Sequence, residues 1–160
     1  MKNISVKKII IGLGIFLVLI QFYRPEPNNG SVLGDNDITH TVPVQDEVMQ
    51  ILKTSCFDCH SNHTDYPWYN NIQPVGIWLA NHVNEGKREL NFSEFNKYKA
   101  KRKRHKLEEM VKEIKEHEMP LGSYTIIHKN AVLSNEQAQL LINWADSAYQ
   151  IIPLDSSAHK

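Results

Sequence analysis

Apolar residues in this chain recur at helical spacing, and no stretch alternates with the period of a strand. An almost unbroken apolar run, Ile9 to Tyr23, comes first, preceded by Lys2, Lys7 and Lys8 and with no acid before Glu26. Val44, Val48, Ile51 and Leu52 mark one helical face and predict a helix from about Val44 to Thr54, with Met49 packed as core. The stretch "TDYPWYNNIQPVG" from Thr64, with two prolines, reads as a loop. A second helix is expected from Pro74 to Glu85, ending at Gly86 as a C′ residue. Asn91 and Glu94 form a capping-box-like start to a long helix reaching about Glu116, interrupted near Ala100, whose stripe of Leu107, Met110, Val111 and Ile114 also reads as core. "EMPLGSY" breaks the pattern, because Pro120 disfavours helix at Met119. Ser134 and Gln137 predict another capping box, opening an amphipathic terminal helix through Leu140, Leu141, Trp144, Ala145 and Ala148. No strand pairing is needed, so the expected fold class is all-α.

Composition bounds this picture. At 160 residues, 41% hydrophobic and 22% charged, the chain holds one domain and a targeting segment. Lysine plus arginine and aspartate plus glutamate balance at 18 each, so overall charge gives no argument for nucleic acid and leaves any docking to local patches. The N-terminal run predicts a transmembrane signal anchor. A helix from Lys7 to Arg24 would reach about 27 Å, near the hydrocarbon thickness of about 30 Å, with Lys8 and Arg24 snorkelling. "QFYRPEPNN" lacks the small-residue pattern of a cleavage site, so the anchor is expected to stay. The resulting division is a cytoplasmic stretch 1–8, an inner-membrane span 9–23, a flexible linker 24–43, a domain 44–152 facing the periplasm and a tail 153–160.

Export raises the question of the two cysteines, Cys56 and Cys59, in "SCFDCHSN" with His60 directly after. A disulfide across this spacing closes a tiny loop and constrains little of the unfolded chain. A thioredoxin-like dithiol needs a strand before it, and none is patterned there. A zinc site from Cys56, Cys59, His60 and His63 lacks the second ligand pair that closed sites draw from a distant segment. Cys-x-x-Cys-His is also the c-type haem attachment pattern. It uses both thiols, which add across the two porphyrin vinyl groups, and sets an imidazole beside the iron. That accounts for two cysteines and no more, and covalent haem c is the expected cofactor.

An iron held by His60 needs a second ligand or keeps an open position. Met119, in a rigid loop far downstream, is the expected one. His82, on the second helix, is the principal rival; His63 lies too near the attachment turn to cross the haem, and His117 and His128 flank the methionine loop. Trp68 and Tyr69, aromatic rings in the preceding loop, are expected to pack on a haem edge with polar tips toward propionates.

The order of N-terminal helix, "CFDCH", proline-bearing loop, "MP" loop and terminal helix resembles a class I cytochrome c. More closely, "SCFDCHSNHTDYPWYNNIQPVGIWLANHV", "LNFSEF" and "EMPLGSYTIIH" resemble the haem-binding domain family of bacterial CxxCH proteins, common in Bacteroidetes. This resemblance covers about Val44 to Trp144. It implies a small cytochrome c-like helical domain, covalent haem at Cys56 and Cys59, His60 as proximal ligand, Met119 as distal ligand, and Pro74 as the carbonyl orienting His60. The long charged helix departs from the smallest class I domains.

That helix carries seven basic residues between Lys97 and Lys106 and five acids between Glu108 and Glu118. Such an order opposes the macrodipole. Either it docks an acidic redox partner or anionic lipid, or it is a solvated surface laced by pairs such as Lys112 with Glu116. Two functions remain open: a membrane-tethered electron carrier with no catalytic residues, or a haem sensor or peroxidase-like enzyme in which the distal position opens and His82 or His117 supplies acid/base chemistry. Redox partners carry no signature in the sequence.

Overall fold

Phe57, Phe92 and Phe95 gather with Leu52, Leu107 and Leu141 into one core, and the helices follow from how each supplies its share. The computed structural model describes residues 5–153. The first four residues, and all of the expected tail except Pro153, lie outside the described residues. Seven α-helices run α1 Val6–Ile20, α2 Asp46–Ser55, α3 Phe57–His60, α4 Val75–Glu89, α5 Ala100–Lys115, α6 Gly122–Thr125 and α7 Asn135–Ile151, with short 3₁₀ turns between them. Among the described residues the only β pairing is an isolated antiparallel bridge between Asn29 and His63. The fold is all-α.

α5 packs along α7, burying Leu107, Met110, Val111 and Ile114 against Leu141, Ile142, Trp144, Ala145 and Ala148. The buried indole of Trp144 donates from Nε1 to the Pro43 carbonyl at 3.0 Å, so its polar atom is satisfied. The expected capping box opens α7: Ser134 Oγ accepts from the Gln137 N–H, and Gln137 Oε1 accepts from the Ser134 N–H. The Asn91 start differs. Asn91 caps a 3₁₀ turn, Phe92–Lys97, by accepting from the Ser93 N–H, while Glu94 reaches Lys97 and Asn62 instead. Tyr98 and Lys99 are extended, so the long helix begins only at Ala100. The pair Lys112 with Glu116 forms at 3.6 Å.

Three further expectations are corrected. α1 is 15 residues long, about 22 Å at the helical rise against about 30 Å of hydrocarbon, and among the described residues no helix is long and apolar enough to cross a membrane. Where the helix ends, Gln21 turns its side chain onto the backbone of Gln73, donating to its carbonyl and accepting from its N–H, both at 3.0 Å. Residues 24–43 are a strap across the domain, with none of the freedom of a tether. The Asn28 N–H donates to Tyr66 Oη, the Gly30 N–H to the Asn62 carbonyl, and Ser93 Oγ to the Val32 carbonyl. Ile38 and Val42 sit inside the core, so the folded unit begins well before Val44. Finally, α4 runs through Gly86 to Glu89, for a reason that lies in the packing of the cysteine turn.

Candidate functional site

α2 ends at Ser55, and Cys56, at φ −127°, breaks the helix into a new one-turn segment. The Cys56 carbonyl accepts from the N–H groups of Cys59 and His60 at 3.2 and 2.9 Å, fixing the turn. Phe57 points into the core and meets the Phe92 ring with centroids 5.5 Å apart. The turn also presses against α4. A Cβ at Gly86 would lie 2.6 Å from the Cys59 carbonyl oxygen and 3.1 Å from its Cβ. Only glycine permits that approach, which is why a helix-weakening residue stands inside α4.

Beside this turn lies a cavity of about 310 Å³, walled largely by apolar groups, among them Leu90, Phe92, Met110 and Leu141. Cys56, His60 and Met119 all line it. The structure therefore brings together three of the four principal residues singled out in the sequence, with the fourth, Cys59, on the same turn against α4. His60 Nδ1 lies 2.9 Å from the Leu90 carbonyl, which makes Nδ1–H the donor and leaves Nε2 free. Phe92 meets the imidazole edge-on at 6.4 Å. This corrects the expected role of Pro74, whose carbonyl accepts instead from the Trp78 N–H in the first turn of α4.

Met119 arrives through a tight reversal at the end of α5. His117 is at φ 59°, its N–H donating to the Ile114 carbonyl, while the Glu118 N–H donates to the Glu113 carbonyl. That is a Schellman closure with histidine where glycine is usual. It turns the chain so that Met119, joined to Pro120 by a cis peptide, falls at the cavity. Beyond it, Tyr124 Oη donates to Asp58 Oδ2 at 2.7 Å, tying the methionine segment to the middle of the cysteine turn. The Tyr124 ring stacks on His128 at 4.2 Å, and His128 Nε2 lies 3.2 Å from Tyr69 Oη. Tyr69 thus belongs to this clasp and does not line the cavity. Trp68 is 76% exposed and does not line it either. His82 packs its ring on Trp78 at 4.2 Å, outside the cavity wall.

Residues 15–147 match the family described as the haem-binding domain. The chain belongs to the haem-binding domain family. No curated protein and no solved structure matches it. The match begins inside α1 and takes in the strap, in keeping with the contacts that make both part of this haem-binding domain.

The donor set fits haem. Burial, then the neighbouring Cys59, push the Cys56 thiol up to about 12; burial and Asp58 push Cys59 up to about 11. Both are protonated at neutral pH and unpaired with each other. Among the described residues no three His, Cys, Asp or Glu side chains converge as metal ligands, so Cys56, Cys59, His60 and His63 do not assemble the zinc cluster their spacing allows. Burial lowers the His60 pKa more than its carbonyl contacts with Leu90 and Gly86 raise it, which keeps the ring neutral with a free nitrogen. Burial and the Asp58 bond both raise the Tyr124 pKa, so its hydroxyl remains a donor.

The haem-binding domain contains site residues that sequence reasoning passed over. Lys106, counted with the basic run, is buried in the cavity wall with its ammonium between Glu109 and Glu89. Its position four before Met110, on the apolar stripe, was the available signal. Other members of the run are also engaged: Arg104 lies 3.8 Å over the Tyr149 ring and Arg102 4.4 Å over Tyr98. Leu90 acts through its backbone carbonyl, which carries no sequence signature.

Proposed function

We propose that this haem-binding domain is a membrane-attached electron carrier, with haem c bound through thioethers at Cys56 and Cys59 and its iron held between His60 and Met119. The observation that carries this reading is the single apolar cavity shared by Cys56, His60 and Met119. Bound there, haem supplies a one-electron iron couple, whose potential methionine ligation raises relative to two histidines. The protein's own part is positional. The Leu90 carbonyl holds the His60 ring in one tautomer and orientation. Phe92, Leu90, Met110 and Leu141 offer the haem an apolar wall, which would lessen the solvent rearrangement that a charge change at the iron brings. The Tyr124 to Asp58 bond keeps the methionine segment against the turn that bears the thiols.

A carrier is favoured over a sensor or peroxidase-like enzyme because neither His82 nor His117, the histidines that would serve as distal acid/base groups, lines the cavity. Attachment to the inner membrane rests on α1, which buries no side chain and is apolar on all sides behind Lys7 and Lys8. The periplasmic side is proposed for the domain from covalent haem at Cys56 and Cys59 in an exported chain, since α1 is too short to cross the membrane and fixes no side by itself.

The test is the absorption spectrum of the holoprotein, ferric and ferrous, beside Met119→Ala. A weak long-wavelength ferric band of methionine-to-iron ligation, lost in the variant, with no carbon monoxide binding by the ferrous wild type, is expected. A ferric wild type lacking that band and a ferrous form that binds carbon monoxide would overturn the assignment and favour the sensor.

A further inference from the structure

α1 does not leave the domain on a free linker. Gln73, almost wholly buried, is the anchor: its backbone makes both amide bonds with Gln21, and its Nε2 donates to the Tyr23 carbonyl at 3.1 Å. Its Oε1 accepts from the Ile77 N–H, which ties the same side chain into the first turn of α4. Arg24 Nη1 adds a bond to the Asn71 carbonyl at 2.7 Å. The 3₁₀ turn Trp68–Asn71 and the start of α4 are therefore held beside the point where the apolar helix ends.

These same elements carry large apolar side chains in water. Trp68 is 76% exposed, Ile72 and Trp78 46% each, and Phe22 and Tyr23, immediately after α1, 81% and 60%. Other large apolar side chains are exposed elsewhere, at Ile126, Ile127, Val132 and Ile151, but those are all aliphatic, whereas the exposed rings outside α1 stand on the elements beside its end. The cluster is continuous with a helix that has no polar side, and it is rich in tryptophan and tyrosine, the rings that favour the water–hydrocarbon boundary of a bilayer.

We infer that the face formed by Phe22, Tyr23, Trp68, Ile72 and Trp78 rests in the interfacial layer of a lipid bilayer, so that the domain is held in one orientation at the membrane surface. This rests on the membrane attachment proposed for α1. A fixed orientation matters for a carrier, because the cavity edge then faces partners at a set height above the lipid. The Gln21 to Gln73 pair makes the orientation rigid, since moving the domain relative to α1 breaks both amide bonds at once.

The experiment uses the full-length holoprotein in vesicles of phosphatidylethanolamine and phosphatidylglycerol containing a phospholipid with a diazirine on its headgroup. After photolysis, adducts are mapped by peptide mass spectrometry. Adducts on peptides bearing Trp68, Ile72 and Trp78 as well as on α1, at several-fold higher yield than on α5 or α7, are expected. In Trp68→Ser/Trp78→Ser, with its haem spectrum unchanged, α1 should stay labelled while the yield on the 68–78 peptides falls. Adducts confined to α1 would overturn the docked face and leave membrane attachment standing, freeing the aromatic cluster for a protein partner. Failure of the protein to float with the vesicles, with α1 unlabelled, would overturn both.

Discussion

Gly86 in α4 lies so close to Cys59 that a Cβ at position 86 would stand 2.6 Å from the Cys59 carbonyl oxygen. The cysteine turn can sit where it does only because α4 lacks a side chain there. Gly86→Ala improves helix propensity by about 1 kcal/mol, yet it must push α4 off a backbone atom, and overpacking of this kind costs about 1–3 kcal/mol. The net effect is expected to be destabilising, with less haem incorporated per chain. Thermal unfolding and the haem-to-protein ratio of the purified protein measure it; a more stable, fully loaded variant would show that the contact relaxes freely.

Tyr124→Phe removes the hydroxyl that donates to Asp58 and leaves the stacking on His128. Hydrogen bonds to charged groups are worth about 1.5–3 kcal/mol, and the partial exposure of Tyr124 puts the expected loss toward the lower figure. The ferric methionine band should weaken in parallel, because the Met119 segment loses its tie to the cysteine turn. Loss of stability with an unaltered band would mean that the clasp holds the fold but not the ligand.

His117 occupies a left-handed position that costs a side chain about 1 kcal/mol or more, and it is exposed with φ at 59°. His117→Gly is expected to stabilise the protein by about 0.5–1 kcal/mol with no change in the haem spectrum. Chemical denaturation reads the gain, and a spectral change would point to an iron-linked role for His117.

Asp37 should give the fold an acid limit. Its burial raises the carboxyl pKa, but the Thr39 hydroxyl and the N–H groups of Thr39 and Gly34 outweigh burial and hold it below the ordinary value of 3.8. A depressed carboxylate contributes stability that is complete above the unfolded pKa and is lost as pH falls through the folded one. Stability of the wild type should therefore fall below about pH 4, and Asp37→Asn should be less stable at pH 7 with a shallower acid slope. Urea titrations from pH 3 to pH 7 on both proteins compare the slopes; identical slopes would remove Asp37 from the acid transition.

Gln21→Ala removes the side chain that makes both amide bonds to the Gln73 backbone, cutting that tie between α1 and the domain while leaving the cavity wall untouched. Chymotrypsin should cleave after Phe22 and Tyr23 several times faster in the variant, with its haem spectrum preserved. Equal cleavage rates would show that Arg24 and the strap suffice to hold α1.

Much of this protein is written locally. Helical periodicity alone determines that the fold is all-α, and Ser134 with Gln137 determines where α7 begins, because a capping box involves only residues three apart. Likewise "CFDCH" and the Met119–Pro120 step single out the candidate haem residues, since the chemistry proposed for them depends on residue type and short spacing. What the tertiary structure decided are relationships between distant segments. The partner of the His60 imidazole is a backbone carbonyl, Leu90, where the family resemblance implied Pro74, and any residue type offers a carbonyl. Gly86 reads as a helix stop until Cys59 is seen against it. Residues 24–43, rich in proline and glycine, read as a tether; Ile38 and Val42 are buried because the cavity-bearing core leaves room for two more apolar side chains that local composition cannot reveal. Lys106 looks like one more solvated cation until Glu89, on another helix, meets it from across the cavity wall. Sequence fixes what each segment can become alone, and only packing determines which groups lose water together.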